Sequence, residues 1–241
     1  MKNLFFIFLI CLFLFSHFES NGQTIKNSDS TALLSPSNKI KAGYIIPSSF
    51  VGYGLFTLKN KQLQKINSDI QGKVTPTDPS KKIHLDDYLQ YTPGAFALGM
   101  SASGVKGKYN FGDAALIYVT TNVISTLIVV PTKHFSHELR PDSSNFSSFP
   151  SGHTATAFAN AEFFRIQYGK RYPWLAVVSY AMAGTTGYLR IYNNKHWFSD
   201  VISGAAIGFC SARMANCLYQ IVQKKYFPLK NKQTIHTIAK Y

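Results

Sequence analysis

Apolar positions in this chain gather into blocks of helical length, separated by short connections rich in Pro, Gly and basic residues. The first block, Leu4 to Phe15, follows Met1-Lys2-Asn3 and precedes the small residues Ser20 and Gly22. A basic start, an apolar run and small residues at cleavage spacing predict a secretory signal peptide over residues 1–22. An uncleaved anchor is the alternative, although about 20 apolar residues are normally needed to span a bilayer. Gln23 to Lys41 is polar and aperiodic, and Ala42 to Leu58 is apolar but broken by Pro47, Gly52 and Gly54. The second of these fits a helix hairpin, an interfacial segment or a poor span. Lys59 to Leu85, with Pro76, Pro79 and Lys81-Lys82, reads as a charged surface excursion, so residues 23–85 form an N-terminal extension and surface segment.

Helical periodicity takes over from Asp86. Asp86 to Gly104 predicts a short segment around Pro93, and Asp113 to Val130 is a strongly apolar helix ending at Pro131. Ser151 is a good N-cap for a helix running to Tyr168 and stopped by Gly169. Pro173 opens a helix over Trp174 to Leu189, and Ser199 or an earlier residue opens the last, to about Gln223. The expected fold is all-α: a helical bundle of about five to six core helices, membrane-embedded, with the domain over residues 86–223 and a basic tail over 224–241.

Each apolar run is at the lower limit for crossing a bilayer, and mean hydropathy is near zero, so a soluble bundle is the competing reading. Charge placement favours the membrane. If residues 23–85 lie outside, Lys106, Lys108, Lys170, Arg171, Lys224 and Lys225 all fall at inner connections. The formal charge of +14 suits anionic partners: phosphorylated lipids, phosphate esters or an anionic membrane surface. Nucleic acid is set aside, because the lysines are dispersed and the N-terminus directs the chain out of the cytoplasm. Cys210 and Cys217, a helical spacing that puts their Cα atoms about 10 Å apart, cannot bridge and read as packed thiols. Cys11 lacks the small preceding residue of a lipid-attachment site.

Three clusters remain, all predicted to meet at the outer ends of the helices. The first is Lys133, six residues, then Arg140-Pro141; the second is Pro150-Ser151-Gly152-His153; the third is Arg190, five residues, His196, three residues, Asp200. Phosphoryl transfer needs positioning and charge neutralisation around the equatorial oxygens, which fixed cations supply. Ser151, Gly152 and His153 stand at a helix start, where free amides and the helix dipole favour an anion. His153 is placed to protonate a leaving oxygen. Were the segment helical, His196 and Asp200 would share a face, the carboxylate fixing the imidazole tautomer for attack on phosphorus. Taken singly, each residue is as well explained by capping or a solvated helix end. His134 and His137 between the first two cations read as surface residues or entrance lining, and Trp197 as packing or an interface aromatic.

In this order and combination the clusters resemble the type 2 phosphatidic acid phosphatase superfamily, which includes lipid phosphatases, acid phosphatases and vanadium haloperoxidases. The resemblance implies His196 as nucleophile, Asp200 as its orienter and His153 as general acid and later base. It implies phosphate binding by Lys133, Arg140, Ser151, Gly152 and Arg190, a phosphohistidine intermediate, no cofactor and no metal. One departure is Leu189, where the family usually has Ser before the arginine. The expected activity is a phosphatase of an envelope lipid, in the inner membrane with a periplasm-facing site. Alternatives are a soluble periplasmic acid phosphatase of broad specificity, a vanadate-dependent haloperoxidase, and a non-enzymatic binder of anionic lipid.

Overall fold

The structure, a computed structural model, describes residues 39–226; the expected signal peptide, Cys11 and the tail beyond Tyr226 lie outside the described residues. Eight α-helices and no strand occur among them: α1 Lys39–Thr57, α2 Lys61–Val74, α3 Asp86–Leu89, α4 Thr92–Ala102, α5 Phe111–Ser136, α6 Gly152–Tyr168, α7 Pro173–Tyr192 and α8 Phe198–Tyr226. The all-α bundle is as expected.

Helix α6 is the centre. It packs most closely on α8, then on α7, α5 and α4. Its alanines at 155, 157, 159 and 161 are buried, small enough for neighbouring backbones to approach. Facing them, a Cβ on Gly204 would lie 2.5 Å from the Ser151 carbonyl oxygen, and one on Gly208 would lie 2.0 Å from that of Ala155. These two glycines let α6 and α8 touch backbone to backbone. Further along, Glu162 of α6 is fully buried and bonded by Arg165 Nε at 2.5 Å, by Tyr180 of α7 at 2.5 Å and by Arg213 of α8. A buried carboxylate so completely paired locks three helices at one level.

Several boundaries differ from expectation. Helix α5 does not end at Pro131 but continues to Ser136, where His137 caps it in the left-handed region with φ 45°. Pro131 removes one donor from the helix, and the next residue adds a local bond, Thr132 Oγ1 donating to Ile128 O at 2.7 Å. The segment around Pro93 is two helices, with Pro93 in the first turn of α4. The surface excursion over Lys59–Leu85 contains α2, capped by Asn60. That helix is more than surface: buried Asn67 donates to Ser199 Oγ at 2.8 Å and buried Gln71 to Ile191 O at 2.8 Å. Helix α1 packs along α8 as a single helix, not a hairpin. Cys210 and Cys217 form no disulfide with each other and are partly buried.

Chain direction places the ends of the bundle. Lys108 N donates to Gln167 O at 2.8 Å and Arg171 to Lys106 O at 3.3 Å, so the α4–α5 and α6–α7 connections share one end. The C-terminus of α5, the N-terminus of α6, the C-terminus of α7 and the start of α8 share the other. The three clusters sit there.

Candidate active site

Each cluster is built by a helix terminus. Ser151 caps α6 through its side chain, which accepts from Thr154 N at 3.4 Å, and its own amide donates to Asp200 O at 3.0 Å. The start of α6 is thereby tied to the start of α8. Ser151 is fully buried and its hydroxyl also meets Thr154 Oγ1 at 2.9 Å. The hydroxyl expected to face phosphate thus also serves in the helix cap. The first-turn amides of Gly152 and His153 have no intrahelical acceptor by position. A Cβ on Gly152 would stand 3.8 Å from Lys133 Cε, so this turn adjoins the first lysine.

His196 lies before α8, not within it, because the helix starts at Phe198. Asp200, in the first turn of α8, reaches back to Trp197 N at 2.9 Å, as the third residue of a capping box does. The same Oδ2 accepts from Ser148 Oγ at 2.5 Å and lies 3.5 Å from His196 Nδ1. The expected proximity of His196 and Asp200 therefore arises from a loop folded onto a helix start rather than from one helical face. The loop is shaped by Asn194 in the left-handed region, φ 62°, a conformation Asn tolerates.

His196 is buried, and burial drives its pKa well below the ordinary histidine range. The fields of Lys133, Arg190, Arg140 and His153 push in the same direction. The imidazole is therefore neutral at physiological pH, the form in which a ring nitrogen is a nucleophile.

The cations are braced. Arg190 donates from one terminal nitrogen to buried Asp86 at 2.7 Å, and Asn193 donates to the same carboxylate at 3.3 Å. Lys133 Nζ donates to Ser147 O at 2.7 Å and Ser148 O at 3.2 Å, holding the loop that leads to Pro150. The Arg140 loop is tied to the His196 loop twice, through Lys195 to Asp142 at 2.7 Å and through Trp197 Nε1 to Leu139 O at 2.9 Å. Burial works to raise the Asp142 carboxyl, but hydrogen bonds from Lys195 and Ser144 and the Lys195 charge hold it at about 2. The side chain of Trp197, expected as packing or an interface aromatic, thus also ties two loops.

Four buried polar atoms of this site have no hydrogen-bond partner: Arg140 Nε, Arg190 Nε, His196 Nδ1 and Asp200 Oδ1. An unpaired buried donor costs roughly 1–3 kcal/mol. Two such guanidinium donors, on side chains whose charges act on one imidazole, suit an anion with several oxygens. His134 and His137 are exposed, as expected. Leu189 is buried in the core, and its backbone oxygen accepts from Asn193 N at 2.8 Å. Asp86, Asp87 and His153 bring ligand atoms within 4.8 Å of one another, and these carboxylates are already engaged by Arg190 and by the His153 ring.

Sequence reasoning missed Asp86, Asp87, Ser148 and Asn193. Asp86 and Asp87 open a predicted helix and carry no local mark of a role; the partners are more than 60 residues away, at 104 and 66 positions.

The PAP2 superfamily model matches residues 114–226. The lipid A 1-phosphatase of Porphyromonas gingivalis is 41% identical over 125 residues, which are 52% of this chain and 28% of that protein. The chain thus spans well under half the length of that relative. Two solved structures are also similar. The crystal structure of Aquifex aeolicus LpxE has 21% identity and a TM-score of 0.47, over 64% of this chain and 93% of that one. The first transmembrane PAP2-type phosphatidylglycerolphosphate phosphatase from Bacillus subtilis has 17% identity and a TM-score of 0.44, over 94% and 98%.

Proposed function

We propose that this chain, whose residues 114–226 match the PAP2 superfamily model, hydrolyses a phosphomonoester or diphosphate of an envelope lipid, with the 1-phosphate of lipid A the foremost candidate. The observation that carries this reading is the pair of unpartnered guanidinium Nε donors, Arg140 and Arg190, beside the buried neutral imidazole of His196. The substrate class is taken from the relative named a lipid A 1-phosphatase.

In this reading Arg140, Arg190, Lys133 and the Gly152 amide hold the phosphoryl oxygens. With Nδ1 turned to Asp200, the other nitrogen of His196, Nε2, attacks phosphorus. The phosphorus–oxygen bond to the lipid breaks, its electron pair stays on the lipid oxygen, and that oxygen takes a proton from His153. Water then attacks the phosphohistidine as His153 accepts its proton; inorganic phosphate leaves and His196 is restored. The scheme draws its positive charge from side chains and needs no metal.

The membrane setting is supported by two helices long and apolar enough to cross a bilayer, α5 and α8. On α5, Leu116, Val119, Val123, Leu127 and Val130 are all exposed at three- and four-residue spacing, an apolar stripe without a protein partner in the monomer. The site would then lie at the outer, periplasmic end.

The test is phosphate release by the detergent-purified full chain in EDTA, from lipid A, from phosphatidate and from a soluble aryl phosphate. Release from lipid A is expected, and His196→Ala should abolish it while vanadate binding persists through the clamps. Turnover by His196→Ala within about tenfold of wild type would place the nucleophile elsewhere.

A further inference from the structure

We infer that Asp87 is a positioning residue for His153, fixing which imidazole nitrogen meets the substrate and stabilising the imidazolium that the first chemical step uses. The inference rests on the phosphatase reading above and adds to it a residue outside the matched segment 114–226.

His153 Nε2 lies 2.9 Å from Asp87 Oδ1, hydrogen-bond distance, with the ring about one-third exposed and Asp87 about half exposed (side-chain accessibility 32% and 49%). A carboxylate is only an acceptor, so Nε2 carries the proton and donates. Nδ1 is then the nitrogen left for the leaving lipid oxygen. Such a half-solvated pair contributes little to stability, about 0–1 kcal/mol. Its consequence is orientation, and that depends on Asp87 being held still.

The structure holds it. Ile83 N donates to Asn193 Oδ1 at 3.0 Å, and Asn193 Nδ2 returns a bond to Ile83 O at 2.7 Å, pinning the strand-like approach to α3 onto the end of α7. Asp86, fully buried, pairs with Arg190 at 2.7 Å. Two consecutive carboxylates on one short turn therefore reach two elements of the site: Asp86 braces a phosphate clamp from α7, and Asp87 braces the acid from α6. Burial first and the charge of Arg190 next hold the His153 pKa below the ordinary histidine value, with Asp87 and Asp86 opposing them. His84 stands 3.9 Å from Asp87 on the exposed side.

A negative partner on Nε2 stabilises the imidazolium that protonates the leaving oxygen, so its removal weakens the acid without touching the phosphate clamps. The experiment compares wild type, Asp87→Ala and Asp87→Asn on two esters: a phosphorylated lipid, whose alkoxide leaves poorly, and an aryl phosphate, whose phenoxide leaves without help. Active enzyme is counted by vanadate titration, so that a misfolded fraction does not enter kcat. For Asp87→Ala, kcat on the lipid ester should fall about 10- to 100-fold, part of what a general acid contributes. The aryl ester should lose less than about threefold and KM should stay within about twofold, since no clamp is removed. The alkaline limb of the lipid-ester profile should move to lower pH in both variants. Asp87→Asn, which still accepts from Nε2, should recover part of kcat but not the limb. Equal losses on the two esters, or an unmoved limb, would overturn the assignment. If wild type releases no phosphate from either ester, or His196→Ala still does, the phosphatase reading itself fails and the role of Asp87 goes with it.

Discussion

At the scale of single residues, burial decides the charge states, and Glu138 shows this beside the catalytic cluster. It lies in the loop between Lys133 and Arg140, and burial first, with the field of Asp200 second, raises its carboxyl from 4.5 to about 7. Between those values the folded chain keeps a proton that the unfolded chain has released. Fewer protons on the unfolded side mean stability falls as pH rises through that window, and the loss is complete above about 7. Glu138→Gln, neutral throughout, removes this contribution. Melting temperatures taken at about pH 5 and about pH 8 should drop further for wild type than for Glu138→Gln; parallel drops would mean that Glu138 titrates as a solvated carboxyl. That Arg140, Arg190 and the start of α6 would gather at one end of the bundle was legible, because the arginines belong to short motifs and Ser151-Gly152 announces a helix start. The bracing carboxylates were not. Asp86 meets Arg190 across 104 positions, and no local pattern encodes that meeting.

At the scale of elements, the reading from sequence succeeded where a boundary is a local event and failed where packing sets it. Ser151 and Gly169 mark α6 by capping chemistry, which five or six residues specify. Helix α5 outlasts Pro131 because its flank is buried against α6 and α8, a gain that the lost donor does not outweigh. Helix α2 was hidden by its charge; it is secured by Asn67 and Gln71, which bond Ser199 and Ile191 from far along the chain. The contact of α6 with α8 is the element-scale feature with the sharpest consequence. A methyl group on Gly208 would fall 2.0 Å from the Ala155 carbonyl oxygen and 2.8 Å from Ala159 N, both backbone atoms that cannot rotate away. Gly208→Ala must push the helices apart, at a cost of about 1–3 kcal/mol. At Gly52, where a Cβ meets nothing within 4 Å, the same change has no such cost. Thermal unfolding in detergent should therefore show Gly208→Ala several degrees below wild type and Gly52→Ala close to it; equal values would mean that α8 shifts freely.

At the scale of the whole molecule, the two ends of the bundle differ in kind. The site end holds Asp86, Asp87, Glu138, Asp142 and Asp200 among its cations, whereas the far end gathers Lys106, Lys108, Lys170 and Arg171 on two adjoining connections. Between them runs the exposed apolar stripe of α5, and Trp174, Val177 and Val178 at the start of α7 are exposed as well. A soluble bundle would leave that apolar surface in water, and a bilayer would cover it, with the basic end on the cytoplasmic side and the site outside. The arrangement makes orientation measurable. In a background with Cys11, Cys210 and Cys217 replaced by Ser, a single cysteine is placed either at Ser143, in the Arg140 loop, or at Lys170, in the far connection. A membrane-impermeant thiol reagent added to cells with a permeabilised outer membrane should label the Ser143→Cys protein and spare the Lys170→Cys protein until the inner membrane is broken. Labelling at Lys170 alone would invert the orientation and put the site on the cytoplasmic face. Labelling of both before lysis, with release of the protein by high salt, would return the chain to a soluble periplasmic bundle and leave the α5 stripe as a contact for another protein.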